Sequence, residues 1–289
     1  MLTSFEPIID KNSKIIIIGT MPGVKSLEKQ EYYGHERNSF WKIICSLFGH
    51  SLISEYREKK AFLLEHQIAL WDVLKACERE GSLDSNIKNP IPNDFAELFK
   101  SYPQIKAIYF NGDPAQKLFN RLVAKKMGKL QIPQYRLPST SPANAIPYEK
   151  KLQHWRLLLL TLKDLRAGGI SSFGACIRRI SGLSYEVYID FFTLTASYKA
   201  TDNGVLQTEK TAALSEEDLT EFIHRIFENG ILSWKETYSD FSRSMDGTYW
   251  QLELKIDQTS FRFNGVSTFP RNWGGVCNNI QNLIKEPFN

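Results

Sequence analysis

Cysteine is scarce in this chain of 289 residues, and the four present, Cys45, Cys77, Cys176 and Cys277, never fall into a C-x-x-C pair. Zinc knuckles and iron–sulfur clusters need close, repeated thiolates, so neither is expected. The five histidines (His35, His50, His66, His154, His224) contain no H-x-x-x-H arrangement either. No metal and no cofactor are therefore expected. Long apolar runs are also missing. Ile15–Ile18 is far too short to span a bilayer, and no early stretch combines a basic start, an apolar run and a small-residue cleavage site. The expectation is a soluble cytoplasmic protein without a membrane partner. Neither G-x-G-x-x-G nor G-x-x-x-x-G-K-[ST] occurs, which excludes the common glycine-rich phosphate cradles.

What is present is apolar enough to build one large core or two ordinary ones: 42% of residues are hydrophobic and 12% aromatic. The net charge of +4 is unevenly divided. Residues 1–165 carry 24 Lys+Arg against 17 Asp+Glu, and residues 166–289 carry 12 against 15. A basic first half suits a polyanionic partner through phosphate contacts and long-range steering; the acidic second half is a poor nucleic-acid surface. Between them "RAGGISSF" pairs glycines with serines, which is linker chemistry. The reading is a domain over 1–165, a linker over 166–173 and a second domain over 174–289.

In the first half, "KIIIIG" (14–19), "IALWDV" (68–73), "IKAIYF" (105–110) and "QYRLP" (134–138) are short apolar runs of the kind buried on both faces of a parallel sheet. Helix-period segments separate them, at 38–48, 114–122 and 148–165. This alternation predicts an α/β fold, a three-layer αβα sandwich around a short parallel sheet. Polar, turn-rich loops follow all four runs: "TMPG", the tail of "LWDVL", "NGD" and "STSPAN". In an open parallel sheet such loops converge at one edge, where ligands bind.

Each loop has a plain structural reading beside a functional one. Pro22-Gly23 is an ordinary turn, or a turn that lets backbone approach a flat ligand. Asn38 is a helix cap or a functional amide; Asn111, before Gly112 and Pro114, is open to the same two readings. Tyr32 and Tyr33 are core residues or stacking partners for a ring. "LPSTSPAN" is a rigid surface loop, or one whose hydroxyls and N–H groups meet phosphates.

The set and order of "GTMPGVKSL", "YYGHERNSFWK", "LWDVLKACEREGSLDSNIKN", "IYFNG" and "LPSTSPANA", spanning Gly19 to Ala145, resemble the uracil-DNA glycosylase superfamily, and within it the hypoxanthine-DNA (deoxyinosine) glycosylase branch. The resemblance implies a monofunctional glycosylase acting on double- or single-stranded DNA that contains a deaminated purine. It implies catalytic amides at Asn38 and Asn111. A base pocket would form from Gly19, Thr20, Met21, Pro22, Gly23, Tyr32, Tyr33 and Phe40, and DNA contacts would come from Ser139, Thr140, Ser141, Pro142, Ala143 and Asn144. Uracil-excising relatives keep an acid or amide where this chain has Thr20-Met21-Pro22. A uracil or mismatch glycosylase, a nucleic-acid-binding module without chemistry and a doubly wound enzyme on small molecules stay open as alternatives.

In the second half, residues 215–230 read as a helix opened by a capping-box-like Ser215/Asp218 and ended by Gly230. "SYEVYIDFFTLTASYKA" and "YWQLELKI" alternate as strands, with an Asp-Gly turn in "MDGTYW". A small α+β domain is expected. "FPRNWGG" (269–275) reads as a turn with core-anchoring aromatics, or as a contact for a protein partner or the DNA backbone.

Overall fold

A computed structural model describes residues 1–128, 132–162, 169–231, 234–239, 247–256 and 259–289. The chain forms two compact units, Met1–Leu162 and Lys163–Asn289.

The first unit contains strands β1 (Leu2–Thr3), β2 (Ile15–Gly19), β3 (Ile68–Asp72), β4 (Leu74–Glu78), β5 (Lys88–Pro92), β6 (Ala107–Asn111) and β7 (Gln134–Leu137). Its helices are α1 (Val24–Lys29), α2 (Phe40–Leu47), α3 (Tyr56–Glu65), α4 (Phe95–Ser101), α5 (Asp113–Phe119), α6 (Lys125–Met127), α7 (Tyr148–Trp155) and α8 (Leu157–Leu162), with a π-helical turn over Asn120–Ala124 joining α5 to α6. β3-β2-β6-β7 is a parallel sheet in that order. Every residue of β2, β3 and β6 is buried, as expected when both faces are covered by helices. This is the α/β fold anticipated from the four apolar runs.

The ends of these strands set up the site. In register, Gly19 at the end of β2 lies opposite Asp72 at the end of β3, and Asn111 at the end of β6 opposite Leu137 at the end of β7. Asn111 therefore belongs to the strand and not to the loop after it. A second, antiparallel sheet β1-β4-β5 follows directly on β3 and carries the segment 74–92 past the same edge; the sequence reading did not anticipate it. The helix expected over 148–165 is broken at Arg156 into α7 and α8, and residues 163–165 lie outside the described residues.

Among its described residues the second unit is a seven-stranded sheet with two helices. β8 (Ile170–Arg178), β9 (Leu183–Asp190), β10 (Thr195–Asp202), β11 (Val205–Ala213), β12 (Thr237–Ser239), β13 (Tyr249–Ile256) and β14 (Thr259–Val266) are ordered β11-β10-β9-β8-β13-β14-β12, all antiparallel except β12 with β14. Residues 170–173, expected as linker, instead open β8. Ile170 and Phe173 are buried there, so the strand starts where apolar alternation starts and the serines between do not break it. The first part of the expected linker, 166–168, lies outside the described residues, as does Asp246 of the expected Asp-Gly turn. α9 (Glu216–Glu228) begins with the capping box of Ser215 and Asp218. In α10 (Trp273–Ile284) and the turn before it, Trp273 and Phe269 pack on the buried Trp250, with ring centroids 4.5 and 6.2 Å away, so "FPRNWGG" anchors a core.

Candidate active site

The last residues of β2, β3 and β6, with the segments that follow β2, β4 and β7, surround one cavity of about 180 Å³. Its walls include Gly19–Gly23, Tyr32, Tyr33, Asn38, Asn111 and Ser139–Pro142. It is small beside the ~300–1,000 Å³ of ordinary small-molecule sites, so it suits one flat heterocycle better than a whole nucleotide.

The Gly19–Gly23 turn is held from behind by a side chain that sequence reading passed over. Arg79 has a buried guanidinium that donates to the carbonyls of Met21 (3.5 Å), Pro22 and Gly81 (3.1 Å) and lies 3.9 Å from Asp84. The Thr20 hydroxyl donates to the same Asp84 at 2.9 Å. A planar cation satisfied by several carbonyls fixes a loop more tightly than turn chemistry alone.

Asn38 stands just before Ser39, the N-cap of α2. It lines the cavity, and its Oδ1 accepts from the Phe40 N–H at 3.0 Å, at the first turn of α2. That bond occupies one lone pair and orients the amide, leaving the second lone pair and the Nδ2 hydrogens for a ligand or water. Asn111 is nearly buried; its Nδ2 donates to Thr140 Oγ1 and its Oδ1 accepts from the Thr140 N–H, each at 2.9 Å. Thr140 in turn accepts through its carbonyl from the Ser39 N–H (3.1 Å) and the Ser39 hydroxyl (3.2 Å). Asn111 and Ser39, the neighbour of Asn38, are thus joined through one threonine.

This geometry corrects two expectations. Thr140, expected to touch DNA, is fully buried with its hydroxyl and N–H both committed to Asn111. Phe40, expected in the base pocket, is fully buried outside the cavity wall and stacks on Tyr33 with centroids 4.0 Å apart. Tyr32 reaches the cavity but is largely structural: it is 2% exposed, and its hydroxyl donates to the Phe5 and Glu6 carbonyls. Tyr33 also lines the cavity. Its backbone sits in the left-handed region at φ 54°, unusual for a bulky residue. Ser139, Ser141 and Pro142 line the cavity; Ala143 and Asn144 do not, although Ala143 is exposed. Asn144 shapes the loop through Ser139 O and the Ile146 N–H. The buried Lys151 braces the same loop, donating to the carbonyls of Asn144 (3.0 Å) and Ser141 (3.4 Å), and burial lowers its ammonium pKa.

The cavity also contains Lys25, Ser26, His35, Asp72, Ser82 and Asp84, none of which the sequence reading had placed there. Burial raises the carboxyl of Asp84 above its ordinary range, and that of Asp72 to about 7 against 3.8. Among the described residues no group of His, Cys, Asp and Glu could hold a metal ion, and no helix is long and apolar enough to cross a membrane.

Residues 6–163 match the family model of the uracil DNA glycosylase superfamily. A protein named hypoxanthine DNA glycosylase from Methanosarcina acetivorans is 36% identical over 152 residues, covering 52% of this chain and 93% of the relative. One of the same name from Methanosarcina barkeri is 42% identical over 109 residues, covering 37% of this chain and 69% of that one. A solution NMR structure of a candidate uracil DNA glycosylase from M. acetivorans is 35% identical, with a TM-score of 0.46, covering 53% of this chain and 92% of that one. Through its first unit, the chain belongs to the uracil DNA glycosylase superfamily.

Proposed function

We propose that this chain is a monofunctional DNA glycosylase that flips hypoxanthine out of DNA and hydrolyses its N-glycosidic bond, leaving an abasic site in an uncut strand. The observation that carries the reading is the Asn38 amide, pinned by the Phe40 N–H at the wall of a cavity sized for one heterocycle. The names of the relatives support the choice of base.

A base stacked in a duplex is out of reach, so it must be extruded at a cost of a few kcal/mol, least for a mispaired base such as hypoxanthine. Tyr33, backed by Phe40, offers a ring on which the extruded base stacks. Breaking the bond between base and sugar leaves oxocarbenium character at C1′ and negative charge on the base. A neutral amide cannot take up a proton near pH 7, but the free lone pair and Nδ2 hydrogens of Asn38 orient a water toward C1′. Asn111 acts by position: its two hydrogen bonds to Thr140 hold the loop whose other side is fastened to Ser39. Half-buried Ser141 and exposed Pro142 and Ala143 meet the backbone of the DNA.

Strand cleavage through a covalent intermediate would require an amine with a free lone pair at the cavity. Lys25 lines the cavity, and the hydrogen bond and charge of Glu28 raise its pKa, so it stays an ammonium and lacks the lone pair that a covalent intermediate requires.

The test is a gel assay on inosine-containing duplex, with alkali added afterwards to reveal abasic sites. Wild type should release hypoxanthine, Asn38→Ala should lose at least about 10²-fold in single-turnover rate while still binding DNA, and borohydride should trap no adduct. Unchanged excision by Asn38→Ala would return that residue to capping alone. A parallel panel of uracil, xanthine and thymine mismatches decides whether another base is preferred.

A further inference from the structure

Asp72 is the last residue of β3, on the floor of the cavity, 3% exposed. Only one of its carboxyl oxygens has a side-chain partner among the described residues: the Ser4 hydroxyl donates to Oδ2 at 3.0 Å. The other, Oδ1, lies against Gly19, so close that a Cβ there would overlap it, and Tyr33 Oη is 3.0 Å from the same point. That Tyr33 hydroxyl is itself buried, beside Asn111 and Asp72, and completes no hydrogen bond of normal geometry among the described residues. The buried Tyr33 hydroxyl and Oδ1 of the cavity-lining Asp72 thus converge on the place where β2 ends in a residue without a side chain. Buried polar groups without partners are uncommon, and each such group asks for an occupant.

We propose that Asp72, in its neutral form, is the acid that protonates the departing base. This rests on the glycosylase reading above and adds a residue that the amide chemistry lacks, because neither Asn38 nor Asn111 can give up a proton. When the C1′–N bond breaks, its electron pair goes to the base, and the Oδ1 proton passes to a ring nitrogen or oxygen of the leaving base. The water held by Asn38 adds its oxygen to C1′ and releases one proton, which restores the carboxyl directly or through solvent. The step consumes one water and needs no other reactant. Burial supplies the neutral acid, since it holds the carboxyl protonated up to about pH 7.

The charged and titratable groups around Asp72 are Lys25, Tyr32, Tyr33 and His35 from the segment before α2, Tyr56 from α3, and Arg79 and Asp84 from the segment after β4. His35 is the imidazole among them and takes its own control.

The experiment measures single-turnover excision from pH 5.5 to 9 with the full chain, on whichever of hypoxanthine and uracil the wild type removes faster. The wild-type rate should fall about tenfold per pH unit above about 7. Asp72→Asn should be slower by about 10²-fold or more and lose that fall, while binding abasic-site duplex as wild type does. Ser4→Ala, which removes a bond favouring the ionised form, should move the fall to higher pH, and His35→Gln should leave it in place. Retention of the fall in Asp72→Asn, or its disappearance in His35→Gln, overturns the proposal. Faster removal of uracil overturns the choice of hypoxanthine alone, since the acid is still judged by the same profile; a wild type that removes no base sinks both.

Discussion

A carboxyl kept neutral by burial should cost the fold stability as pH rises, and Asp72 allows the size to be worked out. Its folded value of about 7 stands above the ordinary 3.8, so the folded chain binds a proton that the unfolded chain has already released. The sign follows. Stability from this group is complete below about 3.8, declines as pH rises, and is fully lost above about 7. Between about pH 5.5 and 8.5 the loss spans about 1.5 pH units at about 1.4 kcal/mol each, or about 2 kcal/mol. Asp72→Asn keeps the shape, has no charge to bury and should lack this decline, so the variant gains on wild type by about 2 kcal/mol across that range. Hydrogen exchange of the buried β2 and β6 amides, followed at both pH values, reads the first unit without interference from the second. Parallel pH profiles for wild type and variant would refute the reasoning. The same substitution is expected to weaken catalysis while relieving the fold, which separates a functional acid from a structural one.

Gly19→Ala should be damaging although Gly19 has ordinary backbone angles, because its Cβ would overlap Asp72 Oδ1 and press on Tyr33 Oη; thermal melting should show a loss of about 1–3 kcal/mol, and excision should fall with it. Arg79→Ala should free the Met21 and Pro22 carbonyls and leave Asp84 without its cation. We expect a loss of about 3–5 kcal/mol, with faster proteolysis near Met21. Thr140→Val should leave the Asn111 Nδ2 without its acceptor, costing about 1–3 kcal/mol and slowing excision more than it weakens DNA binding. An unchanged rate in Thr140→Val would mean that the Asn111 latch does not set the position of the site.

What the sequence made legible was whatever repeats along the chain. Four apolar runs, each short and followed by polar turn residues, were enough to place four parallel strands and to bring their exits together, because burial on both faces leaves a mark on every residue of a strand. Alternation did the same for β9, β10 and β13. The antiparallel β1-β4-β5 sheet left no such mark: β1 is two residues long, and β5 is an edge strand carrying Pro90 and Pro92, which reads as a loop. Within the site, residue type could suggest Asn38 and Thr140 as functional but could not say which has polar atoms committed to the fold. That depends on a bond between residues 29 positions apart, Asn111 to Thr140, and on the stacking that puts Phe40 beneath Tyr33. Asp72 had a local signal: it is the one charged side chain in "IALWDV", where a strand buried on both faces has no room for an unpaired charge. An acid at the last position of such a run is either a folding cost or a tool. Its place opposite Gly19, where no side chain intervenes between the carboxyl and the cavity, favours the tool.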